Sequence, residues 1–314
     1  MHLSIPTFSL SRRSTIAAII GHLSNAQNID GGWGAVYGQR SNTEATSLAL
    51  LGLSAQNEAS LVGSIDQGLA WLTRQQHTDG SWPFTDQLPE NSWATALAIF
   101  TLARFERHRQ SALRGAAWLL RQEGSRLGWL ASLFYRWAPH KLPYRLNPDL
   151  QGWSWTSGTF SWVEPTAYAL LALKKLRPFL PGAQVEDRIS EGERLLYDRM
   201  CVGGGWNYGN SHVLGEDVPP YPEVTALALV ALQDQQAREA NQVSLTILRK
   251  MLTHVDSGLA LSWAIVCFAL YDHDVLPWQM HLVQSYESTR CLGDIRTLAL
   301  ALLALGEGAH SLQV

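Results

Sequence analysis

The sequence predicts an all-α protein built from six helix-pair repeats, each with an inner and an outer helix, closing into a ring. Three observations predict it. An Ala- and Leu-rich apolar run recurs six times in 314 residues, about once every 52 residues, which is more chain than one helix needs. A Q-x-x-D-G-x-W signature precedes some of these runs, and amphipathic segments alternate with them.

Taken in order, the chain starts with a helical stretch through Ile16 to Ile20 that leads into the first signature, Gln27 to Gly34. The first inner run is Thr46 to Leu53. An outer segment, Ile65 to Gln76, carries Ala70-Trp71-Leu72 into the second signature, Gln76 to Trp82, and the inner run Thr95 to Leu102 follows. Ala112 to Gln122 is the next outer segment, with a weaker signature over Ala117 to Gly124, and Thr166 to Leu173 is its inner run. Val185 to Met200, a Gly/Trp loop over Gly203 to Gly209 and Thr225 to Leu232 make the next unit. Val243 to His254 with Leu261 to Leu270, and Trp278 to Tyr286 with Leu298 to Leu305, complete the six.

The apolar runs have no polar face and consist of strong helix formers, so they read as helices buried on most sides. The segments between them keep one apolar stripe and read as an outer layer. An open stack would need polar capping repeats. The last inner run is as apolar as the middle ones, which predicts closure. Residues 1–314 read as one domain, with an aromatic and basic insertion over 125–160.

In the signature, the expected work is architectural. Gly ends the outer helix in the left-handed region, Asp and Gln bond exposed backbone, and Trp packs across the joint between repeats. That accounts for most of the 13 Trp.

Composition narrows the function. A formal net charge of -3 argues against nucleic acid as a partner, since phosphate neutralisation needs a basic excess. Cys201, Cys267 and Cys291 form neither a CxxC nor an even-numbered framework. A reducing, cytoplasmic setting fits them and a structural zinc site does not. Ser11-Arg12-Arg13 ahead of Ile16 to Ile20 has the look of a twin-arginine export signal. The stretch runs directly into the first signature, however, so it reads as part of the repeat. No run of 18 apolar residues occurs, so no transmembrane helix is expected.

The signature resembles the QW motif of squalene-hopene and oxidosqualene cyclases, and more broadly the repeat shared with protein prenyltransferase β subunits. The stretch Ala70-Trp71-Leu72 to Gln76-His77-Thr78-Asp79-Gly80-Ser81-Trp82 follows that motif closely. The resemblance implies an α6-α6 toroid and, for function, an isoprenoid-handling enzyme. Its reaction would be an intramolecular cyclisation, an isomerase-type step on an apolar polyprenyl substrate in a central cavity. In the protonating cyclases a D-x-D-D-T-A stretch supplies the acid from its middle Asp. The matching stretch here is Trp162-Val163-Glu164-Pro165-Thr166-Ala167, which places Glu164 at the acid and replaces the flanking carboxylates by Trp162 and Pro165.

Glu44 and Glu223 stand two residues before Thr46 and Thr225, as Glu164 stands before Thr166. Equivalent positions in consecutive units share a face, so these three carboxylates are expected around one mouth of the ring. They also read as first-turn charges that complement helix N-termini. A lone Glu in that position is expected to be ionised at pH 7 unless burial opposes it. Trp153, Trp155, Trp162, Trp206 and Tyr208, with Thr166, are the expected substrate-shaping residues, because aromatic faces beside a carboxylate hold a cationic intermediate or an apolar ligand. His212 and Asp217 are candidate orienting groups. The zinc ligands of protein prenyltransferases find no match, since no D-x-C occurs and no His is suitably spaced from Cys291 and Asp294. Neither a metal nor another cofactor is expected.

Within the insertion, Trp129, Phe134, Tyr135 and Trp137 mix with Arg126, Arg136, Lys141 and Arg145. That mixture suits a lid, peripheral contact of 126–145 with an anionic membrane, or simple packing on the ring. Two functional classes stay open: an enzyme on an apolar isoprenoid, and a non-catalytic ring that holds a lipid or a protein.

Overall fold

A computed structural model describes residues 5–91, 93–125, 137, 147, 149–156, 158–180, 182–290 and 293–314. Among them run twelve α-helices. The outer ones are α1 (Ile5–Asn25), α3 (Val62–Arg74), α5 (Arg109–Arg121), α7 (Ala183–Asp198), α9 (Glu239–Met251) and α11 (Leu276–Thr289). The inner ones are α2 (Thr43–Ser54), α4 (Ala94–Leu102), α6 (Val163–Leu176), α8 (Pro222–Ala231), α10 (Gly258–Leu270) and α12 (Ile295–Leu305). Each inner helix is buried along nearly its whole length, as helices without a polar face must be.

The inner helices pack in the cyclic order α2, α4, α6, α8, α10, α12 and back to α2, so the ring is closed. Around it, each inner helix packs on the outer helix that follows it in the chain, and α1 takes the place outside α12. Closure thus joins the two ends of the described chain. Arg12 Nε donates to the Leu305 carbonyl at 2.6 Å, and Ile295 N donates to Ala35 O at 2.9 Å.

The signature residues clamp each joint by hydrogen bonds. The indole N–H groups of Trp33, Trp82, Trp153 and Trp206 donate to the carbonyls of Leu23, Leu72, Leu119 and Leu196 at 2.6–3.0 Å. Their backbone N–H groups donate to the hydroxyls of Thr46, Thr95, Thr166 and Thr225 at 2.8–3.0 Å. Each loop is thereby fastened backwards to an outer helix and forwards to the first turn of an inner one, with the indole buried. Gln27 and Gln76 bridge outwards, donating to Ser64 O and Ser111 O at 2.9 Å. The glycines do something other than end a helix. Gly31 and Gly80 sit in the turn beyond the helix at φ 93° and 99°. Cβ atoms there would lie 2.7 and 2.4 Å from the carbonyl oxygens of Gln67 and Arg114, so they let the turn touch the next outer helix.

Two short hairpins decorate the loops entering α4 and α8: β1 (Pro83–Thr85) with β2 (Leu88–Asn91), and β3 (His212–Val213) with β4 (Glu216–Asp217). Across the opposite end of the ring runs a 3-10 segment, Gly308–Leu312. Its carbonyls and those just beyond are taken by donors at the ends of three inner helices: Arg104 to Ser311 O, Gln233 to Leu312 O and Lys175 to Gln313 O. No helix among the described residues is long and apolar enough to cross a membrane.

Candidate functional site

The Thr clamp fixes the register of four inner helices, α2, α4, α6 and α8, so residues at equal distance from that Thr collect at one end of the ring. Two residues before it stand Glu44, Trp93, Glu164 and Glu223, on or just before the first turns of α2, α4, α6 and α8. Arg296, in the first turn of α12, arrives through ring closure, and its Nη1 lies 3.4 Å from Glu44 Oε1. The glutamates are not the helix caps. Asn42 caps α2 by accepting from Ala45 N at 2.8 Å, Asp294 caps α12 by accepting from Thr297 N at 2.9 Å, and the N-cap side chains of α6 and α8 make no capping bond.

Burial dominates the electrostatics. Glu164 is pushed up to about 7, first by desolvation and then by the charges of Glu44 and Glu223, with Arg296 opposing. Burial is the condition under which the sequence allowed this Glu to keep its proton, and here loss of water outweighs the helix dipole. Burial raises Glu44 as well, and the Arg296 guanidinium pulls it back. Tyr168 is held well above the usual phenol range by full burial and by the same carboxylates, so it stays neutral. Tyr208 is raised by burial and by Glu223, to whose Oε1 its hydroxyl donates at 3.5 Å.

Below the carboxylates lies an aromatic floor. Tyr168 is one turn beyond Glu164 on the same face of α6. Trp93 stacks on it with ring centroids 5.8 Å apart, and Trp155 meets Trp93 edge-on at 4.9 Å. Tyr168 also reaches Trp263 of α10 at 6.3 Å. A cavity of about 20 Å³ beside this cluster is lined by Trp93, Trp153, Trp155 and Pro165 among others, room for about one water.

Of the residues singled out from sequence, Glu44, Glu164 and Glu223 lie close enough for their charges to act on Glu164. Trp155 belongs to the aromatic cluster. Trp153, Trp206 and Thr166 sit in the joint clamps, which gives Trp153 the same architectural position as Trp33 and Trp82. Trp162 precedes α6, its N–H bonded to Trp153 O at 3.0 Å. Tyr208 is exposed beside Tyr221 at the edge. His212 Nδ1 and Asp217 Oδ1 pair with each other at 2.8 Å within the β3–β4 hairpin. Cys201 and Cys267 are buried free thiols, and burial raises both. Cys291 and nearly all of 126–145 lie outside the described residues, so the lid and membrane readings do too. Trp137, which is described, is exposed. Within 125–160, Gln151 to Trp153 form the third joint, and Ser125 N bonds Thr159 O at 2.8 Å. Among the described residues no group of three or more His, Cys, Asp or Glu converges as a metal site would require.

Sequence reasoning missed Trp93, Tyr168, Trp263 and Arg296. For Trp93 a signal existed, since it fills in the second repeat the position that holds Glu in three others.

No protein-family model matches the chain. A stretch of 72 residues is 35% identical to drimenyl diphosphate synthase of Streptomyces showdoensis, covering 23% of this chain and 14% of that protein. Among solved structures, a variant of the type II terpene cyclase MstE from Scytonema, in complex with its product merosterolic acid A, superposes with a TM-score of 0.61. The identity is 14%, over 98% of this chain and 100% of the other. An inactive α-1,6-mannanase of Salegentibacter also reaches 0.61 at 10% identity, over 96% of this chain and 99% of that one. An α-amylase from Clostridium perfringens reaches 0.63 at 10% identity, over 93% and 96%. The likeness is one of fold: an α/α toroid spanning nearly the whole chain. It does not single out the squalene-hopene branch. One fold hosts several chemistries, so the chemistry must be argued from the site.

Proposed function

We propose that this chain is an isoprenoid-handling enzyme of the cyclase type, in which Glu164 protonates an alkene of an apolar prenyl substrate. One observation carries the reading. A carboxyl that retains its proton up to about pH 7 stands one helical turn above a buried tyrosine against which a tryptophan is stacked. The proton of Glu164 would become a new C–H bond made with the alkene π pair, leaving a carbocation on the more substituted carbon. A second alkene of the same chain closes a C–C bond. Loss of a proton beside the final cation restores an alkene and returns a proton to the carboxylate, so the net change is an isomerisation that needs no metal or oxidant.

An elevated value makes Glu164 a weak acid by solution standards. The penalty behind it comes from an isolated buried anion, and once a cation forms beside that anion the two attract strongly where water is excluded. The faces of Trp93 and Tyr168 stabilise the same cation. Glu44 and Glu223 would act through their charges on Glu164, Trp155 and Trp162 would shape the wall, Tyr208 would stand at the rim, and Trp153, Trp206 and Thr166 would hold the wall in place. No cofactor is called for.

The second reading, a non-catalytic ring that holds a lipid or a protein, is favoured by the packing of Tyr168 against Trp263, which takes up space inside the ring. Incubation with squalene, oxidosqualene and fifteen- and twenty-carbon prenyl diphosphates, followed by gas chromatography and mass spectrometry, separates the two. Turnover reduced at least ~100-fold in Glu164→Gln supports the cyclase. Unchanged turnover in that variant removes Glu164 from its role, and no turnover of any of these substrates favours the holder. Sedimentation with anionic liposomes tests membrane contact.

A further inference from the structure

The mouth brings Glu44 and Glu164 near one guanidinium, with Glu223 near Glu164. Facing Glu164 are Glu44 from α2, Glu223 from α8 and Arg296 from α12, with Tyr168 one turn below on α6 itself. Tyr208, from the loop before α8, is engaged with Glu223. Neighbouring carboxylates deprived of water do not readily ionise together, and their protons are lost in coupled steps. Which of them ionises first is decided by where the cation sits.

Of these carboxylates, Arg296 forms an ion pair with Glu44. Its Nη1 contacts Glu44 Oε1 at 3.4 Å, and its Nε lies 3.8 Å from Asp294 Oδ2. The other oxygen of Asp294 is engaged at the start of α12, accepting from Thr297 N at 2.9 Å and Thr297 Oγ1 at 2.8 Å. The guanidinium is thus fixed against Asp294 on its own helix and directed at Glu44 across the closure seam. Glu164 feels its charge without an ion pair to it.

We infer that Arg296 is a positioning residue: by pairing with Glu44 it keeps the anion on α2 and leaves the proton on Glu164 of α6. The catalytic meaning of this order rests on the function proposed above, but the order itself is a property of the resting protein. It assigns Glu44 the part of a permanent negative neighbour, and it makes the seam between the first and last inner helices part of the site.

The test is a pH titration of the full chain carrying ¹³Cδ-labelled glutamate, followed by NMR and assigned with Glu164→Gln and Glu44→Gln. The expected result is a carboxyl titrating near neutrality that disappears in Glu164→Gln, with Glu44 titrating below it. Arg296→Gln should raise the Glu44 midpoint by about 1 unit or more, and Arg296→Lys should restore much of that difference. Glu44→Gln should lower the Glu164 midpoint by a similar amount, about 1 unit, because it removes the neighbouring anion. A near-neutral carboxyl that disappears in Glu44→Gln instead, or a Glu44 midpoint indifferent to Arg296→Gln, overturns the inference. If Arg296→Gln does not fold, the wild-type and Glu44→Gln titrations decide it with Arg296 in place. The expected order in a protein without turnover upholds this assignment and rejects the enzymatic reading, whereas a reversed order rejects the assignment whatever the turnover.

Discussion

Tyr168 and Trp263 meet with ring centroids 6.3 Å apart although they stand on α6 and α10, inner helices separated in the ring by α8. Their contact bridges two inner helices that are not neighbours in the ring. Both are almost wholly buried, so each supports the other where a hollow ring would be weakest. Trp263→Ala should lower the unfolding free energy by about 3–5 kcal/mol, the usual cost of deleting a large buried aromatic. It should also open a cavity on the ring axis. Urea denaturation measures the first effect, and xenon binding in crystals the second. A loss below ~1 kcal/mol would mean that the two rings are not packed as described.

The Thr clamp makes a narrower prediction. Thr166→Val preserves shape but removes the oxygen that accepts from Trp153 N at 3.0 Å, leaving that N–H unpartnered in a buried joint. A cost of about 1–3 kcal/mol is expected. Thr95→Val should behave alike, since its hydroxyl accepts from Trp82 N at 2.8 Å. Chemical denaturation of both variants checks whether the two joints are energetically equivalent.

Stability should depend on pH through Glu164. Its value in the folded protein, about 7, lies above the ordinary value of 4.5, so the folded state binds the extra proton. The resulting stabilisation is complete below about pH 4.5 and is lost as pH rises through about 7, on the order of 3 kcal/mol in all. Glu164→Gln should flatten this part of the profile, leaving the variant close to wild type at pH 5 and more stable at pH 8. Denaturation midpoints at the two pH values report the difference.

At the far end of α6 a different charge is buried. Lys174 Nζ lies 2.6 Å from Glu193 and 2.5 Å from Asp234 and donates to Ala231 O at 2.8 Å. It ties α6 to α7 and to the turn after α8. Lys174→Met should cost about 3 kcal/mol or more, because it strands two partly buried carboxylates without a counter-ion. Adding Glu193→Gln should recover part of the loss, as a double-mutant cycle would show.

The ring itself was legible because its cause is local and repeated. Trp33 and Thr46, 13 residues apart, recur as Trp82 with Thr95 and Trp153 with Thr166, and each pair is one hydrogen-bonded joint. The shared register of Glu44, Glu164 and Glu223 followed from their common place two residues before Thr46, Thr166 and Thr225. Arg296 was not legible because it reaches Glu44 across 252 positions of sequence, through a closure that no local pattern encodes. Tyr168 and Trp263 look like ordinary members of apolar helices until the ring sets them face to face. Whether burial would keep the proton on Glu164 was not legible for a related reason: a helix N-terminus is a local feature, whereas desolvation comes from neighbours contributed by other repeats.

The segment over the far end of the ring has its carbonyls held by Arg104, Lys175 and Gln233 from three different repeats. Shared by three inner helices, it fastens that end of the ring. Arg104, Lys175 and Gln233 thus pull on one short segment, and shortening it should loosen three repeats together and not one joint alone.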